Sequence, residues 1–357
     1  MEHCMRFASS VMTSLVYGIR GPAHDSYTVT GIEKIMTVGG DLNATVPPLD
    51  EFPLLMYVSP RLRMAMEKTN FRDCQLRASL YKDLADKAQI RVDSGLNPEA
   101  FAKRVYTAKN ELQLTDRRVH MILAVAHEGG SDIVANAIMA CLMALVNYPR
   151  VLQKAREEVD SVCDEDTVPR WSDWDRLPYV RMVVKETLRW RPPFPWGVLH
   201  ALDEDDTWNG YTIPKGSSVL MNIWNINMNP DRYPNPDEFW PERFESFPLS
   251  SSEYINSSDS LLRDHYTFGA GRRSCPGLVI ADIDLFLSIS KILWAFDLST
   301  PDGQPLDTSP ETAFTGPNLR RPLPFKMTFR VRNEARARTI EAEMRIAEEN
   351  VFSRFGS

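Results

Sequence analysis

Phe268-Gly269-Ala270-Gly271-Arg272-Arg273-Ser274-Cys275-Pro276-Gly277 is the stretch from which the rest of the chain is read. Glycines at 269 and 271 permit a tight loop whose backbone amides turn inward. Cys275 stands just before an apolar, helix-patterned run from Leu278 to about Phe296, and Pro276-Gly277 suits the opening of a helix, where proline costs least. The helix mouth, the loop amides and two neighbouring arginines all favour a thiolate over a thiol. The expectation is therefore an anionic sulfur of lowered pKa in a preorganised cradle. The plain alternative is a structural cysteine beside a turn.

Upstream, Thr115 to Asn147 is the longest helical pattern, with Thr115 as N-cap and Pro149 as stop. At 1.5 Å per residue it would cross a whole domain, on the order of 50 Å. It is apolar nearly all round, so burial is expected, except at His127-Glu128-Gly129-Gly130-Ser131-Asp132 in its middle. Each glycine there costs roughly 1 kcal/mol against alanine. Either this is a tolerated kink, or the missing side chains make room for a flat body lying on the helix.

The flanks read as follows. Met5, Ala8, Met12, Leu15 and Val16 fall at helical spacing and form an amphipathic N-terminal core helix. Residues 47–59 are proline-rich, a structured connection. Residues 60–93 make one long surface helix with a stripe of Leu76, Leu80, Leu84 and Ala88. A helix at about 179–190 ends before Pro192-Pro193. Gly210 to Gly216 followed by Ser217 to Leu220 reads as strand, turn, strand. Residues 229–248 hold five prolines and form ordered coil. Lys326 to Arg332 alternates like a strand, and Asn333 to Phe352 is a charge-laced helix with a solvated face.

Composition narrows the function. The 357 residues are 43% hydrophobic and 25% charged, and carry a net charge of −7, ordinary for a globular protein and unsuited to a nucleic-acid backbone as partner. Five widely spaced cysteines without a C-x-x-C pair indicate free thiols in a reducing compartment. The six histidines form no ligand pair, so a zinc hydrolase is not expected. No run of about 18 apolar residues suggests a transmembrane helix.

The loop resembles the haem-binding segment of the cytochrome P450 family, F-x-x-G-x-R-x-C-x-G, at Phe268, Gly271, Arg273, Cys275 and Gly277. The resemblance implies a mainly α fold with small β-sheets, spread over residues 1–357 as a partial domain. It implies haem b, with Cys275 as axial thiolate pushing electron density onto iron, Arg273 on a propionate and Phe268 near the sulfur. His200 falls where the family often places a basic residue on the second propionate. Glu186-Thr187-Leu188-Arg189 matches the family's E-x-x-R, and Trp240-Pro241-Glu242-Arg243-Phe244 its P-E-R-F segment. Glu186, Arg189 and Arg243 would form a structural network behind the haem.

Gly129-Gly130-Ser131-Asp132-Ile133 matches A/G-G-x-D/E-T. The glycines would let the helix lie over the haem, and Asp132 would help deliver protons to iron-bound oxygen. Threonine is replaced by Ile133, which has no hydroxyl to relay or hold a water; Asn136, on the same face, is a candidate substitute. The implied function is oxygen insertion into a small hydrophobic substrate, with O2 and NADPH-cytochrome P450 reductase as partners, in the style of fungal secondary metabolism. Ile133 leaves open a haem-thiolate isomerase, dehydratase or peroxide user. Relatives of eukaryotic type start earlier, with a membrane anchor on the endoplasmic reticulum, the first strands and a W-x-x-x-R helix. Their absence here leads to the expectation of an exposed strand edge near 198–220, weak haem retention, a chain possible in the cytoplasm, or a non-catalytic remnant.

Overall fold

The computed structural model describes residues 1–23, 25–35, 60–96, 99–255, 257–316 and 319–355, except for the side chains of 60–74 and 260. The proline-rich stretch 47–59 lies outside the described residues.

Helices come first and dominate. They are α1 (Glu2–Tyr17), α2 (27–35), α3 (Pro60–Asp93), α4 (Phe101–Ala108), α5 (Asp116–Asn147), α6 (Pro149–Val162) and α7 (Pro178–Trp190). Four short strands follow, β1 (His200–Ala201), β2 (Asp206–Trp208), β3 (Tyr211–Ile213) and β4 (Ser218–Val219), and then α8 (Ile223–Asn227). After a long coil and the one-turn α9 (Ser251–Tyr254), the chain ends with α10 (Leu278–Ala295), β5 (Phe296–Ser299), β6 (Thr328–Val331) and α11 (Glu334–Asn350).

The central helix starts where its cap residue stands: Thr115 Oγ1 accepts from the Arg118 N–H at 3.3 Å, satisfying one of the orphan amides of the first turn. It is shared by two cores. Its N-terminal part, through Val119 and Leu123, packs with α1 to α4 around Met12, Ile32, Leu80 and Leu84. Its C-terminal part, from Val134 to Leu145, packs with α6, α7 and α10 around Val183, Phe239, Leu285 and Trp294. The helix is long and apolar enough to cross a membrane, but 78% of its most apolar window is buried in the protein, the pattern of a core helix.

Burial does not extend all round α5. Met121, Ile122 and Val125 are exposed near its start. In α1, Met5, Ala8, Met12 and Val16 are buried, whereas Leu15 lies on the solvent side. Leu80, Leu84 and Ala88 form the buried stripe of α3, with Leu76 partly buried at its edge.

The expected strand, turn and strand are present as β3, Pro214-Lys215-Gly216 and β4, and the fold decides their pairing. β3 does not pair with the strand that follows it. It pairs backward with β2, Trp208 opposite Tyr211, across Asn209-Gly210, whose φ values are +49° and +82°. This is the left-handed pair that a two-residue hairpin demands. β4 instead pairs with β1, His200 opposite Val219. The turn at Pro214-Lys215-Gly216 therefore links two separate ribbons, both with largely exposed side chains. β5 and β6 form a third antiparallel pair, Phe296 opposite Val331.

Candidate functional site: a thiol loop and a bare helix face

Gly269 and Gly271 adopt φ of +76° and +64°, a conformation that a side chain would strain. The turn they make brings the Cys275 N–H to the Phe268 carbonyl at 2.8 Å. α10 begins three residues after Cys275, with Gly277 as its N-cap. The Phe268 ring packs against the main core, 5.6 Å from the ring of His265.

The sulfur is not an activated thiolate in the protein alone. Cys275 is partly open to solvent, yet crowding by the loop pushes its thiol up, and only the Gly277 N–H pulls it the other way. Neither arginine is among the influences on the sulfur. Arg272 and Arg273 are exposed and make no ion pair among the described residues. A metal would reverse this balance, since a coordinating thiol is deprotonated outright.

Behind the loop lies a buried ionic network. Arg189 Nε and Nη2 donate to the two Glu186 oxygens at 2.7 and 2.8 Å, and Arg243 Nε donates to Glu186 Oε1 at 3.1 Å. Glu186 and Arg189 are both 0% exposed, so every remaining donor needs a partner. Arg189 Nη1 finds the Asn227 carbonyl at 2.9 Å and Arg243 Nη1 the Pro234 carbonyl at 2.9 Å. Asn227 carries the network to the loop: its Nδ2 donates to Thr267 Oγ1 at 3.1 Å, and Thr267 Oγ1 donates to the Leu188 carbonyl at 2.8 Å. A second anchor pairs Lys185 with Asp264 at 3.0 Å, both nearly sealed. Asn227, Thr267 and the Lys185–Asp264 pair escaped the sequence reading, which had no local signal for contacts dozens of residues apart.

The two central glycines separate. A Cβ on Gly129 would meet nothing within 4 Å, whereas one on Gly130 would stand 2.4 Å from Met12 Sδ. Gly129 thus keeps the open face of α5 bare, and Gly130 admits α1 instead of facing a ligand. Next to Gly129 is a cavity of about 280 Å³, walled by Val125 and Ile133 from α5 and by Phe194 and Leu319 from facing loops. Glu128 and Asp132 also reach it.

Asp132 is fully buried, and both its oxygens accept from Arg321 Nη2, at 2.9 and 3.0 Å. The sequence offered no hint of this partner 189 residues away. Asp132 is therefore held as a paired carboxylate. Ser131 turns back to the His127 carbonyl at 2.7 Å. Asn136 is buried with no partner for its side-chain amide among the described residues, and it is not a wall of the cavity.

His127, one residue before Glu128, packs between Tyr17 and Tyr81. Thr13 Oγ1 donates to the Ser9 carbonyl, so at 3.0 Å it accepts from His127 Nε2–H, and Nδ1 is left without a partner. Burial pushes this imidazole down to about 3, so it is neutral and structural.

These residues fit haem. The Gly129 face is bare, and apolar side chains at Val125, Ile133, Phe194 and Leu319 border it. Such a patch marks a surface meant to be covered. Arg273 offers an uncompensated cation, and His200, half-buried on β1, makes no side-chain hydrogen bond among the described residues.

A thiol loop at a helix mouth, a buried Glu–Arg–Arg network and a long glycine-notched helix define the class of haem-thiolate proteins. The chain belongs to the cytochrome P450 family, whose model matches residues 1–329. It is 34% identical to cytochrome P450 monooxygenase atE of Aspergillus terreus over 99% of this chain and 66% of that protein. It is 37% identical to cytochrome P450 monooxygenase yanC of Aspergillus niger over 99% of this chain and 68% of that one. The chain thus spans about two thirds of the length of these relatives. In fold it is similar to a zebra fish cytochrome P450 solved with abiraterone, with a TM-score of 0.72 and 22% identity over 93% of this chain and 72% of that one.

Proposed function

We propose that this chain binds haem b through the Cys275 thiolate and serves a monooxygenase that converts R–H, O2, two electrons and two protons into R–OH and water. When bound, the haem supplies the oxygen-activating chemistry. The observation that carries the reading is Cys275 itself, exposed on a loop of left-handed glycines at the mouth of α10. Arg273 and His200 would hold the propionates, Phe268 would cover the sulfur side, and Gly129 would let α5 lie flat against the ring. Glu186, Arg189 and Arg243 keep the coil behind the loop in place.

Asp132 lines the cavity, with Arg321 fixing the direction of its carboxyl group. Electrons would come from NADPH through cytochrome P450 reductase, at the endoplasmic reticulum. The substrate would be a small, mostly apolar molecule of fungal secondary metabolism, a setting supported by the Aspergillus relatives. The test is a carbon-monoxide difference spectrum of the reduced protein. A thiolate-type band that Cys275→Ser abolishes is the expected result, and no band in the unaltered protein would overturn the reading.

Ile133 and the locked Asp132 favour a second reading, in which the haem-thiolate works without reductive oxygen activation. Turnover supported by peroxide and independent of NADPH would select it.

A further inference from the structure

The cavity beside α5 has apolar walls at Val125, Ile133, Phe194 and Leu319, and two carboxylates, Glu128 and Asp132, four residues apart on one face of the helix. In a pocket of this kind, a few polar groups orient a largely apolar ligand. The two carboxylates are not equivalent. Asp132 is 0% exposed, with Arg321 on both oxygens. The Glu128 side chain remains 25% exposed, and its ion pair engages Oε1 through Arg77. A carboxylate offers about four acceptor sites, so Glu128 keeps capacity on its open side.

Arg77 beside Glu128 and Arg321 beside Asp132 offset the two acids. A cation would meet those guanidinium groups, and a carboxylate ligand would face two acids. What Glu128 can still do is accept a proton-bearing oxygen.

Resting on the haem-thiolate reading above, we infer that Glu128 is a specificity-determining residue that accepts a hydrogen bond from a hydroxyl of a small, neutral, otherwise apolar substrate. A hydrogen bond to a charged group is worth about tenfold to a hundredfold in affinity.

The probes are 4-propylphenol, propylbenzene and 4-propylbenzoate, titrated calorimetrically into the haem-loaded protein, with the haem absorption shift read in parallel. The phenol should bind about tenfold to a hundredfold tighter than the hydrocarbon, and the carboxylate weakest. Glu128→Leu should erase the phenol's advantage and leave hydrocarbon affinity unchanged. Glu128→Gln, which keeps shape and a neutral acceptor, should retain a smaller advantage and guards against misfolding of the leucine variant. Equal affinities for phenol and hydrocarbon, an advantage that survives both substitutions, or tightest binding of the benzoate would each overturn the inference. The carbon-monoxide band is recorded on the same samples: its presence without a phenol preference removes this inference alone, and its absence removes the parent reading and the inference together.

Discussion

At the scale of single residues, two adjacent glycines have opposite circumstances. Gly129 faces open space and Gly130 faces Met12, although nothing in Gly129-Gly130 distinguishes them by type. Gly129→Ala should raise the stability of the haem-free protein by about 1 kcal/mol through helix propensity, while weakening haem uptake. Gly130→Ala should lower stability by about 1–3 kcal/mol, because the new methyl group must displace Met12. Denaturant melts of both variants check this; changes of the same sign would contradict it. Glu186 is a stricter case. Glu186→Gln leaves Arg189 and Arg243 without a counter-charge in a sealed site, at a cost of about 3–5 kcal/mol, read as a lower urea midpoint with unchanged slope. That the three charges belong together was visible in the motifs. That Asn227 and Thr267 extend them to the thiol loop was not, because each contact joins distant segments.

At the scale of elements, local chemistry set the helices and the strands but not how the strands pair. Thr115 caps α5 and the Tyr148-Pro149 junction ends it, as local stop signals require. Thr115→Ala should cost about 1 kcal/mol, measurable as a lowered melting temperature. Pro214-Lys215-Gly216 marked the turn between two strands, but the hairpin closes at Asn209-Gly210, whose paired left-handed residues match the twist of flanking strands. α11 lies beyond the stretch that the family model matches, and its mixed charges do more than face solvent. Arg336 is buried, pairing with Asp160 at 2.9 Å and donating to the Trp294 carbonyl. Farther on, Arg20 stacks 3.5 Å over Phe352, and Arg91 donates to the Arg354 carbonyl at 2.7 Å. Arg336→Met should cost about 1–3 kcal/mol, because a buried carbonyl loses its donor. A melting temperature unchanged from the parent would show that α11 is merely apposed.

For the whole molecule, buried titratable groups set the pH profile. Asp282 in α10 is buried with Oδ2 unpartnered. Burial and the Asp264 carboxylate raise it to about 7, against Lys185 and the amides of Ser251 and Ser252, which lower it. Its ordinary value is 3.8, so between these limits the folded chain keeps a proton that the unfolded chain has released. This contribution is full at low pH and is lost as pH rises toward 7. His127 acts oppositely. Neutral down to about 3 when folded, it lowers stability as pH falls from its ordinary value, because only the unfolded chain takes the proton. Asp282→Asn should therefore lose less melting temperature than the parent as pH rises from acid to neutral, with an unchanged acid limb. Parallel profiles would contradict the assignment.

The same scale separates what the chain's order of residues determined from what folding decided. Family, helix positions, the thiol loop and the Glu186–Arg189–Arg243 triad were legible, because glycine, proline, capping residues and apolar periodicity act within a few positions of one another. The Arg321 lock on Asp132, the division of α5 between two cores, the raised Cys275 thiol and the open carboxylate of Glu128 were not. Each depends on which distant groups surround a side chain, and burial and electrostatics are properties of that neighbourhood.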